Sequence, residues 1–481
     1  MFRRLFVLCC ALLMATQGVQ LVRAERHKAA GLHTPSAPLT VSQCIEIALE
    51  QNRKRRISRL AVETAEYQHK QALSAFWPQI TAESTYNQLD EDVHFLFPSN
   101  TYDYNIAVPG LGTISGQTVV PEQDVTVMDR KSITSGLIMS YPLFTGGLRS
   151  NAVKASRSNV QAARQALRRT ELELVRDVQR MYYGAVVASR LSDIGQETLV
   201  RLRATTDLTE RLYKGGSGSV TKLDYLRSKV VLESTRSIVE QLASNVALAI
   251  AALGNTMGLR WDTPVALAEN EIPFVKVDAD LERLVAGAYR FNPDWKRLGA
   301  GLEAARALVD KERSARWPKV ALKGTLWRWD NGLDHSGMAT EENETGWSVG
   351  IGLQMPIFTG FMTTNKIKEA KARLKTLEAQ QILLKEGVAL QVKHGFIRID
   401  RSQKIRSAAI AAASYAREHR ELAVRAYMNE MVSTGVVIES QIIEALARAK
   451  AEMALYENAA SRFDIDFVIG REMKKLLEFN G

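Results

Sequence analysis

Proline is scarce in this chain and unevenly placed. Of 481 residues only 12 are proline. None lies from 143 to 263, and none from 357 to 481. A proline inside a helix costs about 3 kcal/mol, so the two empty tracts predict two long helical regions. They also exclude a collagen-like chain and a β-sandwich punctuated by prolines. Cysteine is nearly absent as well: Cys9, Cys10 and Cys44 are all there is, which excludes a disulfide scaffold. No segment past the N-terminus reaches the uninterrupted apolar length of a membrane helix. A β-barrel stays open, because its strands need only about 9–11 alternating residues each. The 7 histidines, His27, His33, His69, His94, His335, His394 and His419, show no metal-ligand spacing. None belongs to a nucleophile elbow, and Gly110-Leu111-Gly112 precedes no helix and so is not a dinucleotide site. The chain is therefore not expected to be an enzyme or to hold a cofactor.

What is present looks globular in bulk, with 46% hydrophobic and 24% charged residues and a formal charge of +10. Residues 1–24 read as a secretory signal, with Arg3 and Arg4 ahead of an apolar run from Leu5 to Ala15 and Val22-Arg23-Ala24 as the cleavage site. Leu8 before Cys9 argues against lipid attachment. Without the signal only Cys44 remains, at an apolar position of a short helix. The densest basic run, Arg53-Lys54-Arg55-Arg56 with Arg59, is expected to be a solvated helix face or a contact for anionic partners, not a nucleic-acid site.

Two sets of landmarks recur. Asn52 and Trp77-Pro78 return 240 residues later as Asn292 and Trp317-Pro318. Tyr141-Pro142-Leu143-Phe144-Thr145-Gly146 returns 214 residues later as Met355-Pro356-Ile357-Phe358-Thr359-Gly360, and Tyr213 as Tyr427. The change of offset lies between Pro78 and Pro142, so the first half has the longer loop there, roughly 88–130, rich in Gly, Asn, Asp and Pro. Its counterpart, roughly 330–344, holds Asp330, Asp334, Glu341, Glu342 and Glu344.

Four segments beside these landmarks alternate with period two. Ile80, Ala82, Ser84 and Tyr86 alternate with Thr81, Glu83 and Thr85. Ile133, Ser135, Leu137, Met139 and Tyr141 alternate with Thr134, Gly136, Ile138 and Ser140. Ala321, Thr325, Trp327 and Trp329 face away from Leu322, Gly324 and Arg328. Trp347, Val349, Ile351, Leu353 and Met355 alternate with Ser348, Gly350, Gly352 and Gln354. One apolar face and one small or polar face suits a barrel strand between lipid and water. The tract from Gly147 to Tyr213 would span roughly 100 Å as one helix, too long for a globule. Leu172, Val175, Val178, Tyr182 and Ala185 form a coiled-coil seam along it. Lys214-Gly215-Gly216-Ser217-Gly218-Ser219 breaks it, and a second helix follows from Thr221.

This layout resembles the TolC-like outer-membrane channel family, over roughly 39–470. Leu39-Thr40, Ile45, Ala48-Leu49 and Asn52 match its opening-helix pattern L-T-x-x-x-x-I-x-x-A-L-x-x-N. Trp77, Pro78, Pro142, Trp317, Pro318 and Pro356 resemble its helix–strand junctions. The resemblance implies a mainly α chain with a transmembrane β-barrel portion, built as a duplicated helix-strand-strand-helix-helix repeat. Three copies would make an α-helical barrel topped by a 12-stranded β-barrel, four strands per subunit. It implies a homotrimer in outer-membrane lipid, with the helical tunnel in the periplasm. A periplasmic adaptor and an inner-membrane pump of RND or ABC type would dock at the tip. The function implied is the passive exit duct of a tripartite efflux or type I secretion system.

The expected domains are a signal peptide at 1–24 and an N-terminal extension at 25–38. The first repeat covers 39–262, with strands about 79–87 and 132–141 and a tip turn about 214–220. A linker covers 263–280. The second repeat covers 281–470, with strands about 319–329 and 346–355 and a tip turn about 428–434, and a tail covers 471–481. Carried over from the family, the aperture candidates are Asp224, Tyr427, Glu430 and Glu439. The tip and adaptor-contact candidates are Tyr213, Gly215, Gly216, Ser219, Met431 and Ser433. Val432 and Val436 stand where family members carry an arginine and an aspartate of the closing network, and Glu430 stands where glycine is usual. The rival reading is a periplasmic coiled-coil structural or adaptor protein, which has no barrel and no duplicated strand pairs.

Overall fold

The computed structural model describes residues 37–216, 218–276, 280–331 and 343–472. The expected signal peptide and most of the acidic segment at 330–344 lie outside them. The duplication is visible in element lengths. Helix α1 (Val41–Gln51) and helix α5 (Leu281–Phe291) have 11 residues each. They lead into α2 (Arg53–Ser74) and α6 (Pro293–Arg313). Helices α3 (Leu148–Lys214) and α7 (Met362–Met428) have 67 residues each, and the returning α4 (Lys222–Met257) and α8 (Thr434–Ile469) have 36 each. Matched lengths in diverged sequence mean that length itself is under constraint.

The chain divides into two units. The first holds the described residues up to Ser58, Leu167–Pro293 and the chain from Lys385 onward. Its core gathers Cys44 and Ala48 of α1, Val178, Tyr182 and Val186 of α3, Leu253 and Met257 of α4, and Phe463 of α8. The opening-helix pattern has a physical cause at each position. Thr40 is the N-cap, its side chain closing a capping box with Gln43. Leu39 is buried and accepts a hydrogen bond of 2.9 Å from the Tyr182 hydroxyl. Ala48 is fully buried. Asn52 ends α1 and donates through its side chain to the Thr256 carbonyl at 2.7 Å, while Asn292 does the same to Val468, also at 2.7 Å. Each asparagine thus satisfies a last-turn carbonyl of a returning helix, which has no partner inside that helix. Gly258 and Gly470 follow those helices with φ of +84°. A Cβ on Gly258 would stand 2.9 Å from the Gln51 carbonyl oxygen, and one on Gly470 would stand 2.6 Å from that of Phe291. Only glycine fits both the backbone conformation and the approach. Burial first and Glu269 second push the Cys44 thiol up to about 11. Along α3 the buried seam runs through Leu174, Val178, Tyr182 and Ala185, while Leu172 and Val175 are only half-buried.

The second unit holds Arg59–Ala166 and Asp294–Leu384. Strands β1 (Gln79–Gln88), β6 (Lys131–Phe144), β7 (Lys319–Asn331) and β8 (Asn343–Gln354) form one antiparallel sheet in the order β1-β6-β7-β8. Pro78 and Pro318 immediately precede their strands, and Pro356 follows β8. Pro142, expected at a junction, lies instead inside β6 beside a break in register at 142–144. A bulge is one of the few sheet positions that tolerates a residue without an N–H.

The register keeps the expected split of β7 and shows which group shares the apolar face of the other strands. Ile80 pairs with Met139, Met139 with Gly324 and Gly324 with Val349. The apolar face therefore carries Ile80, Leu137, Met139, Leu322, Leu326, Trp347, Val349, Ile351 and Leu353. Trp327 and Trp329 stand on the opposite face with Thr81, Glu83, Thr85, Thr134, Gly136, Thr325 and Ser348.

The long loop at 88–130 is also corrected. It folds as β2 (Val93–Phe97), β3 (Asn100–Val108), β4 (Gly112–Val120) and β5 (Gln123–Met128), with β2 paired to β5 and β3 to β4. Its turn-forming residues are bunched at the breaks: Pro98, Pro109-Gly110 and Pro121. Between them Tyr102, Tyr104, Ile106 and Val108 keep period two on one face.

Candidate functional site at the helical tips

The first tip joins α3 to α4. Tyr213 stacks on Tyr225 with ring centroids 5.6 Å apart and 11° between planes. The Gly215 amide donates to the Arg211 carbonyl at 2.8 Å, and Gly216 turns the chain with φ of +69°. Ser219 is exposed. Asp224 belongs to the cap of α4: its carboxylate accepts from the Thr221 amide at 3.1 Å and hydroxyl at 2.6 Å. Those Thr221 bonds hold its carboxyl below the ordinary carboxylate range.

The second tip joins α7 to α8 and is two residues shorter. Glu430 adopts φ of +57° and its amide donates to the Tyr427 carbonyl at 3.0 Å. This left-handed conformation, which glycine takes at no cost, costs another residue about 1 kcal/mol. Met431 is 75% exposed, and Ser433 is the N-cap of α8. Glu439 is exposed on α8 and makes no ion pair among the described residues.

Tyr427 is 6% exposed and sits among helices. Its hydroxyl lies 3.0 Å from the Thr209 hydroxyl of α3 and 2.9 Å from that of Thr434 on α8. Thr209 already donates to the Thr205 carbonyl at 2.8 Å. One proton per hydroxyl then fixes the direction: Thr434 donates to Tyr427, and Tyr427 donates to Thr209. Such a relay is self-reinforcing, as each donor polarises the next. One turn further on, Gln441 of α8 donates to the Thr205 hydroxyl at 3.0 Å.

Ion pairs take over beyond that point. The Glu444 side chain is 3% exposed, receives Arg201 of α3 at 3.0 Å and contacts Arg420 of α7. Glu197 and Arg448 pair at 2.6 Å, and that bond lowers the Glu197 carboxyl below its usual range. Arg180 and Asp464 pair at 2.8 Å. These partners fall at antiparallel positions and form a polar seam between α3 and α8. Beside Arg201 a small buried apolar cluster gathers Leu202, Leu232 and Ile438.

The structure thus brings Tyr427 together with Thr209 and Thr434, and further along α8 it joins Gln441 to Thr205 and Glu444 to Arg201 and Arg420; the sequence singled out none of these partners. The signal was weak, because a threonine on a long helix carries no spacing rule. Among the described residues no group of three His, Cys, Asp or Glu side chains is placed to hold a metal ion.

The chain belongs to the outer membrane efflux protein family, whose model matches residues 44–259 and 288–468. It is 27% identical over 267 residues to Protein CyaE of Bordetella pertussis, covering 55% of each chain. It is 26% identical over 301 residues to the cation efflux system protein CusC of Escherichia coli strain K12, covering 62% of this chain and 58% of that one. The matched stretch thus spans little more than half the length of these curated relatives. The crystal structure of the Campylobacter jejuni CmeC outer membrane channel superposes with a TM-score of 0.72 at 15% identity, covering 91% of this chain and 88% of that one.

Proposed function

We propose that this chain is one subunit of a trimeric outer-membrane channel that serves as the passive exit duct of a tripartite efflux or type I secretion system. The observation that carries this reading is the four-stranded sheet. Ile80, Leu326, Trp347, Val349, Ile351 and Leu353 stand more than half exposed on one face, while the other is mostly Gly, Ser, Thr and charged residues, with Ile138, Trp327 and Trp329 among them. An exposed apolar face of this size on a sheet with two free edges is a liability in water. Lipid against that face and neighbouring sheets at both edges remove it. The edges β1 and β8 run in opposite directions, so copies related by rotation join them antiparallel. Three copies make 12 strands, an even number within the bacterial range. The apolar face ends at Arg328, which pairs with Asp330 at 2.6 Å, one row beyond Leu326 and Trp347. At the other end Trp77, Trp317 and Phe358 are exposed, as an interfacial aromatic girdle would be.

In this reading the tips line the aperture. Asp224, Glu430 and Glu439 supply carboxylates there, Glu439 forming a ring of three that favours cations. Tyr427 holds the tip closed through its hydroxyl relay. Tyr213, Gly215, Gly216, Ser219, Met431 and Ser433 present the turns to a periplasmic adaptor, through which an RND- or ABC-type pump loads the duct. No bond is made or broken in the chain.

Fractionation tests this. The protein should remain with outer membranes until detergent is added, and the purified trimer should conduct in planar bilayers. Recovery as a soluble periplasmic protein without detergent would reject the channel and favour the coiled-coil adaptor.

A further inference from the structure

Trp327 and Trp329 occupy the face that should meet water in a barrel. Each indole carries on the order of 200 Å² of largely apolar surface, and the neighbouring apolar face would have accepted both. Trp327 is flanked by glycine on both adjacent strands, Gly136 on β6 and Gly346 on β8. The Trp327 ring lies over Gly346 and fills the space a Cβ there would need. Both indoles are half-buried, leaving ring surface open. Glu83 belongs to the same cross-strand row, one strand beyond Gly136, and is exposed. Trp329 follows one row on, level with Thr134 and Thr85.

We propose that Trp327 and Trp329, with Glu83, form an aromatic ring inside the barrel that binds flat organic cations in transit. The proposal rests on the channel reading. Three subunits would contribute six indoles and three carboxylates to neighbouring levels of the lumen. A planar cation gains stacking and cation–π attraction from the rings and charge pairing from Glu83. An anion or an aliphatic cation gains much less. Gly346 and Gly136 keep the rings seated on the wall and the lumen open.

The test is ethidium block of single channels in planar bilayers. Ethidium should reduce current through the wild-type trimer, and the double variant Trp327→Leu/Trp329→Leu should raise the half-blocking concentration at least about fivefold, the order of a cation–π contact at a partly exposed ring. Glu83→Gln should weaken block as well, while Trp347→Leu on the opposite face should leave it unchanged. Because Trp327 also packs on Gly346, a second measurement uses the unaltered protein: tetramethylammonium, equal in charge but not flat, should block only at much higher concentration than ethidium. Conducting channels that ethidium does not block, block unaltered in the double variant, or equal block by the two cations would each overturn the aromatic ring. Absence of any conductance from the wild-type trimer would instead overturn the channel reading beneath it.

Discussion

Replacing Tyr427 with Phe should open the channel. The substitution keeps the ring and its packing and removes one oxygen. That oxygen accepts from Thr434 and donates to Thr209, at 2.9 and 3.0 Å. Thr209 keeps its bond to the Thr205 carbonyl. Thr434, 2% exposed, is left with a buried hydroxyl proton and no acceptor from this relay. Each lost bond costs about 1 kcal/mol net, so the closed arrangement loses about 2 kcal/mol per subunit. That is a factor of about 30 in an equilibrium constant, and about 10⁴ if three subunits open together. An open state that hydrates the same groups loses nothing, so the shift favours opening. Single-channel recording of Tyr427→Phe in planar bilayers should show a large rise in open probability over wild type. Thr434→Val should give a similar rise, and the double variant little more, because both break one relay. The reasoning fails if Tyr427→Phe lowers the thermal unfolding midpoint while open probability stays at the wild-type value. The relay would then support the fold and not the closure.

Two further expectations follow from single residues. Glu439→Gln should bring the reversal potential in a potassium chloride gradient closer to zero, and an unchanged potential would remove Glu439 from the pore lining. Cys44, with its thiol raised to about 11 and no exposed surface, should resist maleimide labelling at pH 8 until denaturant is added. Immediate labelling would show that α1 does not pack against α3 and α4 as described.

The parts of this fold that could be read in the sequence were those where one residue type has one structural use. Asn52 and Asn292 repeat because each closes the end of a returning helix, and Pro78 and Pro318 repeat because each precedes a strand. The proline-free tracts marked the paired helices for the same reason. The strand pairing did not follow from residue type alone. Trp327 looks apolar in a list of side chains, but register decides its face, and register is fixed by partners outside the segment. The hairpins at 93–128 were hidden because their turn residues outvoted a clear alternation in β3. The tip network was hidden for another reason: Thr205, Thr209, Thr434 and Gln441 are ordinary helix-surface residues until three helices meet.

The two ends of the first unit draw stability from different sources. Around Cys44, Tyr182, Leu253 and Met257 the helices close on apolar side chains and backbone approaches that leave no room for a Cβ at Gly258. Such packing has one arrangement and loses several kcal/mol if it separates. Toward the tips the α3–α8 seam is made of Glu444 between two arginines, Glu197 with Arg448, and hydroxyls bonded to hydroxyls. These groups accept water in exchange for one another at small net cost, and Arg201 pairs with Glu197 at 3.4 Å besides Glu444. If the tips are the gate proposed above, a seam built this way is expected to separate there without unfolding the apolar end. In the proposed channel Val432 and Val436 cannot form a closing ion pair, and the bonds that Tyr427 makes to Thr209 and Thr434 beside them would take that place.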